Sequence, residues 1–384
     1  MRPKATLVWL NYNSSSFLGL ALRSLKSLLR LDYEDYEVVV VDNASNDGSF
    51  EAIKKFVEGR GPSKAEVKVV RSDVNRGYSG GMNLGWSARD PESKYVAFLN
   101  NDLIVEPDSL REIVEYMGAD EDVGAASGLI FFGDGRTIYS AGGFVTEFWS
   151  ARGICWNVPC SECHGKERPH YVTYADGAYM VVKADAIRSA CPDGKPFIDE
   201  AFLYFDDYFL GLLLWNRGYK VRYYPVKAGL HYARRTAKTV SYYYAARAEA
   251  ALMTVVETRF KAVVPARLLS RLVLYSLLCA IDGTRGRALA RAVYDGLRLG
   301  SFAKRKVGTL SLYKAPYVRL GLKYSIFGFR GLRGKVRVTH GDLVHPKLRP
   351  QLASTKSVDS SGLVDFESLR CSGPAWYGLF DPFS

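Results

Sequence analysis

Four acidic positions and one histidine carry most of the chemistry this chain can offer. Asp102 follows the apolar run YVAFLN (95–100) and precedes LIV (103–105), so it sits at the mouth of a buried strand. A carboxylate set in apolar sequence is costly if buried without a partner. It suits a hard divalent cation, Mg²⁺ or Mn²⁺, of the kind held by one or two carboxylates plus substrate phosphates. Asp42 closes VVVVD and can accept hydrogen bonds from a base or ribose. Far along the chain lies the pair Asp206-Asp207. Adjacent like charges raise one pKa and can yield a general base. His231, in AGLHYARRT, is a candidate further metal ligand or phosphate donor.

The elements that must position these groups alternate between strand and helix signals. TLVWL (6–10), EVVVVD (37–42), VKVVRS (67–72) and YVAFLN (95–100) read as strands. Ser14 to Ser16 can cap a helix through Leu29, and helices are expected near 49–58 and at 107–117. This order predicts an α/β fold with an open, mostly parallel sheet and ligand sites at the carboxyl ends of its strands. Asn11, Tyr12, Asn13, Asp42, Asn43, Asp73 and Asn100 to Asp102 all fall there. Further strands are expected at 127–132, 171–183 and 219–225, with an amphipathic helix in FDDYFLGLLLWNRG (205–218).

Other chemistries fit less well. Dinucleotide binding requires G-x-G-x-x-G after the first strand, and the chain has NYNSSS there, which argues against a dehydrogenase. C-x-x-C-H at 160–164 formally matches haem attachment, but no export signal precedes it. Cys155, Cys160 and Cys163, with His164 or His170, are a possible structural zinc site, although a second C-x-x-C pair is missing. Unligated loop cysteines are the default, and the scattered cysteines argue against a disulfide framework.

Charge is unevenly placed. Residues 234–350 hold 24 Lys and Arg against 5 Asp and Glu, a net of +19, while the remainder carries −7. A polyanionic partner is expected, either an anionic membrane surface or nucleic acid. No familiar nucleic-acid module is present. LLSRLVLYSLLCAI (268–281) has an apolar stretch of about ten residues, too short to span a bilayer but suited to lying in its surface. Arg287, Arg291 and Arg298 recur at helical spacing beyond it. No transmembrane helix is expected.

Taken in order, these motifs resemble the glycosyltransferase family 2 enzymes of the GT-A fold, especially the rhamnosyltransferase-like branch. The resemblance covers roughly residues 4–235. LNYN resembles the opening strand and nucleotide loop, and VVVVDNASNDGS the motif whose first Asp, here Asp42, contacts the base. NRGYSGGMNLG is similar to the stretch that places Asn75, Gly77 and Asn83 near the nucleotide, and LNND resembles the modified Asp-x-Asp motif. The resemblance implies Asn101 beside the nucleotide, a metal on Asp102 and His231, and Asp176-Gly177 on the acceptor side. Asp207 would be the base, beside Asp206, with Phe209 standing where the family has a second Asp.

What the resemblance implies is inverting transfer from a nucleotide-diphosphate sugar to a glycan or lipid-linked acceptor. The expected organisation is a GT-A catalytic domain (1–235), a basic helical membrane-surface region (236–345) and a tail (346–384). The protein is expected to be cytoplasmic and peripheral at the inner face of the cell membrane. Two alternatives are a non-catalytic nucleotide-sugar-binding scaffold and a nucleic-acid-binding protein acting through its basic segment.

Overall fold

A computed structural model describes residues 2–61, 63–233, 238–319 and 338–346. The expected boundary at 235/236 and the tail from 347 onward lie outside the described residues. Three strands rich in buried aliphatic residues, β1 (Ala5–Asn11), β2 (Tyr36–Asp42) and β4 (Tyr95–Asn100), and a half-exposed edge strand, β3 (Glu66–Arg71), pair in parallel in the order β3-β2-β1-β4. Every residue of β2 is buried, as a strand covered on both faces requires. Helices α1 (Leu18–Leu28), α2 (Ser49–Glu58) and α3 (Gly77–Ala88) complete the crossovers. The expected serine cap on α1 does not form, because a short turn at Ser15–Phe17 precedes the helix. The Ser14 hydroxyl instead donates to Asn11 Oδ1 (2.6 Å).

The glycine-rich segment is a helix against propensity, because packing needs it bare. A Cβ on Gly85 would lie 2.1 Å from Val8 Cγ1, so glycine lets α3 close onto β1.

Beyond β4 the sheet turns mixed. Next come β5 (Leu103–Val105), α4 (Ser109–Ala119), β6 (Val123–Phe132), β7 (Thr137–Ser140), β8 (Gly143–Val145), β9 (Ala151–Gly153), β10 (Val158–Pro159) and β11 (His170–Tyr171). They are followed by β12 (Tyr179–Lys183), α5 (Ala184–Ala190), α6 (Asp206–Asn216) and β13 (Lys220–His231). β12 runs antiparallel to both β4 and β6, so the consecutive parallel pairs β3-β2-β1-β4 end at β12, and parallel pairing returns where β13 joins β6. The single strand expected at 171–183 is two strands, interrupted where the Asp176 carboxylate turns the backbone by accepting from Ala178 N (2.9 Å). α6 is not amphipathic: Asp206 and all of Phe209–Trp215 are buried, so it is a core helix.

The cysteine reading also changes. Cys155 and Cys163 form a disulfide with Cα atoms 5.7 Å apart, and Cys160, buried between them in sequence, is not part of it. Two of the three proposed thiolates are therefore spent on each other, which removes the zinc site and corrects the expectation of unpaired cysteines.

After β13 come α7 (Lys238–Val255), α8 (Val264–Ile281) and α9 (Gly283–Val307). No membrane-length helix is expected from the sequence, and one helix has that length and composition. Lys261–Ile281 forms 21 helical residues with mean hydropathy 1.6, enough to cross a bilayer. Arg267 and Arg271 break the apolar run in sequence, but both are turned inward onto Glu249 of α7 (2.5 and 2.9 Å).

Candidate active site

The carboxyl ends of β1, β2 and β4 bring the predicted polar residues together. Asn11 Nδ2 donates to Asp42 Oδ1 (3.0 Å), while its Oδ1 accepts from Asn101 Nδ2 (3.1 Å), so one carboxamide couples three strand ends. The other Asp42 oxygen accepts from Ser45 N (3.1 Å) and pairs with Arg71 Nε (3.3 Å). Arg71 was not singled out from sequence; its guanidinium lies 4.2 Å from the centroid of the Phe50 ring. The only sequence signal for it was its place at the end of β3, level with Asp42. Asn13 holds the turn after β2, its Oδ1 accepting from Asn46 N (3.0 Å) at a left-handed φ of 45°. Tyr12 beside it is exposed.

Asn75 and Gly77 reach this group through Asn43, which follows Asp42 at the end of β2. Asn43 Nδ2 donates to Asn75 Oδ1 and Gly77 O, both at 3.0 Å. Gly77 has φ +66°, and a Cβ there would lie 2.2 Å from Phe202 O, so the loop before α6 closes on the start of α3 only over glycine. Asn83 lies elsewhere. It is buried, with its amide engaged by Phe197 O (2.7 Å) and Asp199 Oδ1 (2.6 Å), so it holds the 197–199 loop.

Asp102 and His231 meet where β5 pairs with the end of β13. His231 Nε2 is 2.9 Å from Asp102 Oδ1, and both residues are buried. Adjacent ligands of an octahedral ion with bonds of about 2.1 Å stand about 3.0 Å apart. The separation and the carboxylate–imidazole donor set therefore fit one small divalent cation. Among the described residues no group of three protein ligands occurs, so further donors would come from elsewhere, such as a diphosphate.

A third group surrounds the start of α6. Asp207 Oδ1 accepts from Tyr208 N (2.8 Å), and Gly177 N donates to Asp207 Oδ2 (3.4 Å). Asp206 is buried at the first turn of α6 and accepts from Phe205 N (2.8 Å). Burial first, then the charges of Asp206 and Asp176, push the Asp207 carboxyl well above the usual range. Burial likewise raises Asp176 and Asp206. Three carboxyl groups in one dry region cannot all ionise freely, and this favours proton uptake at Asp207. Tyr139, also missed from sequence, lies between the two acidic groups. Its ring contacts His231 (4.3 Å between centroids), and its hydroxyl pKa is raised by burial and by the fields of Asp176, Asp207 and Asp102.

A mixed α/β sheet with carboxamides and carboxylates at its strand ends, and buried carboxyls across the opening, defines a GT-A glycosyltransferase fold. The model of Glycosyl transferase family 2 matches residues 7–182, and that of Glycosyl transferase family group 2 matches residues 95–281. Together the two models place residues 7–281 in glycosyltransferase family 2. It is 33% identical over 139 residues to an uncharacterized glycosyltransferase of Nostoc sp., covering 36% of this chain and 40% of that protein. It is 32% identical over 113 residues to the succinoglycan biosynthesis protein ExoO of Rhizobium meliloti, covering 29% of each. The chain thus spans well under half the length of these curated relatives. Among solved structures, GalNAc-T7 with UDP, GalNAc and Mn2+ aligns with a TM-score of 0.52 at 14% identity, covering 86% of this chain and 57% of that one.

Proposed function

We propose that the protein is an inverting glycosyltransferase that moves a sugar from a nucleotide diphosphate to a hydroxyl of a glycan or lipid-linked acceptor. The observation that carries this is the link through Asn100: its side chain meets His231 (3.3 Å), its N donates to Ala178 O (3.2 Å), and the neighbouring Gly177 N donates to Asp207 (3.4 Å). Diphosphate-binding and proton-accepting groups therefore face one reaction space.

Asn11, Asp42, Asn101 and Arg71 form the donor nucleotide surface, with Tyr12, Asn13, Asn75 and Gly77 around it, and Asn83 supports the 197–199 loop from behind. Asp102 and His231 would hold Mg²⁺ or Mn²⁺, which when bound supplies positive charge to the departing diphosphate. Asp207 takes the acceptor hydroxyl's proton as its oxygen bonds to the anomeric carbon and the bond from that carbon to the diphosphate oxygen breaks. Asp206 and Asp176 keep the Asp207 carboxyl basic, and Gly177 lets the acceptor strand approach it. The donor fits dTDP-rhamnose or a UDP-sugar.

We assign residues 1–235 to catalysis and 236–345 to a basic helical accessory region, working at the cytoplasmic face of a membrane. The Mn²⁺ of the GalNAc-T7 structure supports the divalent cation.

The test is Asp207→Asn. Transfer should fall by at least about a hundredfold, the usual scale of general base catalysis, while nucleotide-diphosphate binding is retained. Unchanged turnover in the variant would overturn the assignment of Asp207.

A further inference from the structure

We infer that α8 is an interfacial docking helix: its outward face seats the enzyme in the surface of an anionic bilayer, without crossing it. The inference builds on the membrane reading above and assigns the surface and the mode. α8 is amphipathic in the inverted sense. Its two charged residues, Arg267 and Arg271, point inward to Glu249, and Tyr275 is buried on the same side. The opposite side exposes Leu269 (63%), Val273 (53%), Leu277 (63%) and Ile281 (85%), with no charged residue among them. A helix that puts charge in and apolar surface out has been shaped for an apolar neighbour.

The neighbouring helix chooses a lipid surface as that neighbour. α9, joined to α8 through Asp282, exposes Arg287, Arg291, Arg298 and Arg305 along one face with Tyr294 among them. That stripe is complementary to anionic headgroups and would repel its own copy. Apolar residues and basic residues beside an aromatic ring are the composition of an interfacial helix. The mode follows from the same helices. α9 packs against α8 and carries charge along its length, so carrying the hairpin across hydrocarbon would bury that charge.

The surface also lies one helix away from the catalytic loop. On α7, the Tyr244 ring stacks on Phe202 (5.5 Å between centroids), Arg247 donates to Glu200 O, and Ser241 Oγ accepts from the Tyr204 hydroxyl (3.2 Å). Phe202 and Tyr204 both hold left-handed backbone just before Asp206-Asp207. Docking through α8 would therefore set the acceptor side of the site close to the bilayer, which favours a membrane-borne acceptor over a freely soluble one.

The experiment is co-sedimentation of the full chain with phosphatidylcholine vesicles, alone and with about 30 mol% phosphatidylglycerol. Wild type should bind the anionic vesicles, and Leu269→Glu/Leu277→Glu should lose at least about tenfold in affinity. Arg287→Glu/Arg298→Glu should weaken binding and flatten its salt dependence. Bound protein should be released by alkaline carbonate. Equal vesicle binding by wild type and the leucine variant would overturn the surface, and resistance to carbonate would overturn the interfacial mode. Absence of vesicle binding, with a dimer that the leucine variant dissociates in sedimentation velocity, would assign the face to a second copy. Nucleotide-diphosphate binding measured on the same samples checks that the variants are folded. It also separates failure of the docking surface from failure of the transferase reading.

Discussion

Replacing Gly85 with alanine tests how the donor side of the fold is built. The new Cβ would stand 2.1 Å from Val8 Cγ1 and 3.0 Å from Val41 Cγ2. Ordinary carbon contacts are about 3.5–4.0 Å, so α3 and β1 must part by about 1.5 Å or Val8 must leave its rotamer. Overpacking of this kind costs about 1–3 kcal/mol. Both neighbours are β-branched and stiff at χ1, so the upper end, about 3 kcal/mol, applies. Alanine returns about 1 kcal/mol through helix propensity, leaving a net loss of about 2 kcal/mol. In thermal unfolding this is a drop of about 2–4 °C. Gly19, in α1, is the control: nothing lies within 4 Å of its Cβ position. Gly19→Ala should keep the propensity gain and stabilise by up to about 1 kcal/mol. Because Val8 and Val41 lead directly to Asn11 and Asp42, Gly85→Ala should also weaken nucleotide binding. A Gly85→Ala protein as stable as wild type, or two variants shifting in the same direction, would refute the packing argument.

The pH dependence follows from the raised carboxyls. A base must be deprotonated, so kcat/KM should climb with pH through the raised Asp207 pKa, and Asp206→Asn, by removing a like charge, should shift that limb to lower pH. Folded Asp207 binds a proton that the unfolded carboxyl releases near about pH 4, so wild type should lose stability as pH rises from there through the folded value, and Asp207→Asn should lose less of it. Arg71→Met should weaken nucleotide-diphosphate binding about three- to tenfold in titration calorimetry, a modest effect because the Arg71 side chain is 44% exposed. Reducing Cys155–Cys163, whose partners are 8 residues apart, should cost about 2.5 kcal/mol by loop-closure entropy, read as a lower Tm in reductant and matched by Cys155→Ser/Cys163→Ser.

The parallel half of the sheet was legible because β1, β2 and β4 are short runs of buried aliphatic residues with turn residues after them. Asn11, Asp42 and Asp102 were legible for the same reason, since polar residues that end such runs lie at strand ends. α3 was obscured by its glycines, whose poor helix propensity is overridden by contact with Val8. Arg71 was hidden because a basic residue ending a half-exposed strand resembles any surface arginine until Asp42 is seen beside it. The length of the apolar helix was masked by Arg267 and Arg271, whose neutralisation by Glu249 is a tertiary fact. The pairing of Cys155 with Cys163 depends on a loop conformation that residue spacing does not encode.

The central claim, a diphosphate held at Asp102 and His231, is tested most directly by titration calorimetry. UDP, TDP and GDP would each be titrated with and without Mn²⁺ into wild type and Asp102→Ala. Metal-dependent binding of one diphosphate, lost in the variant, is the predicted result, and the preferred base would narrow the donor. Binding by none of the three under either condition, or binding indifferent to both Mn²⁺ and Asp102, would contradict it.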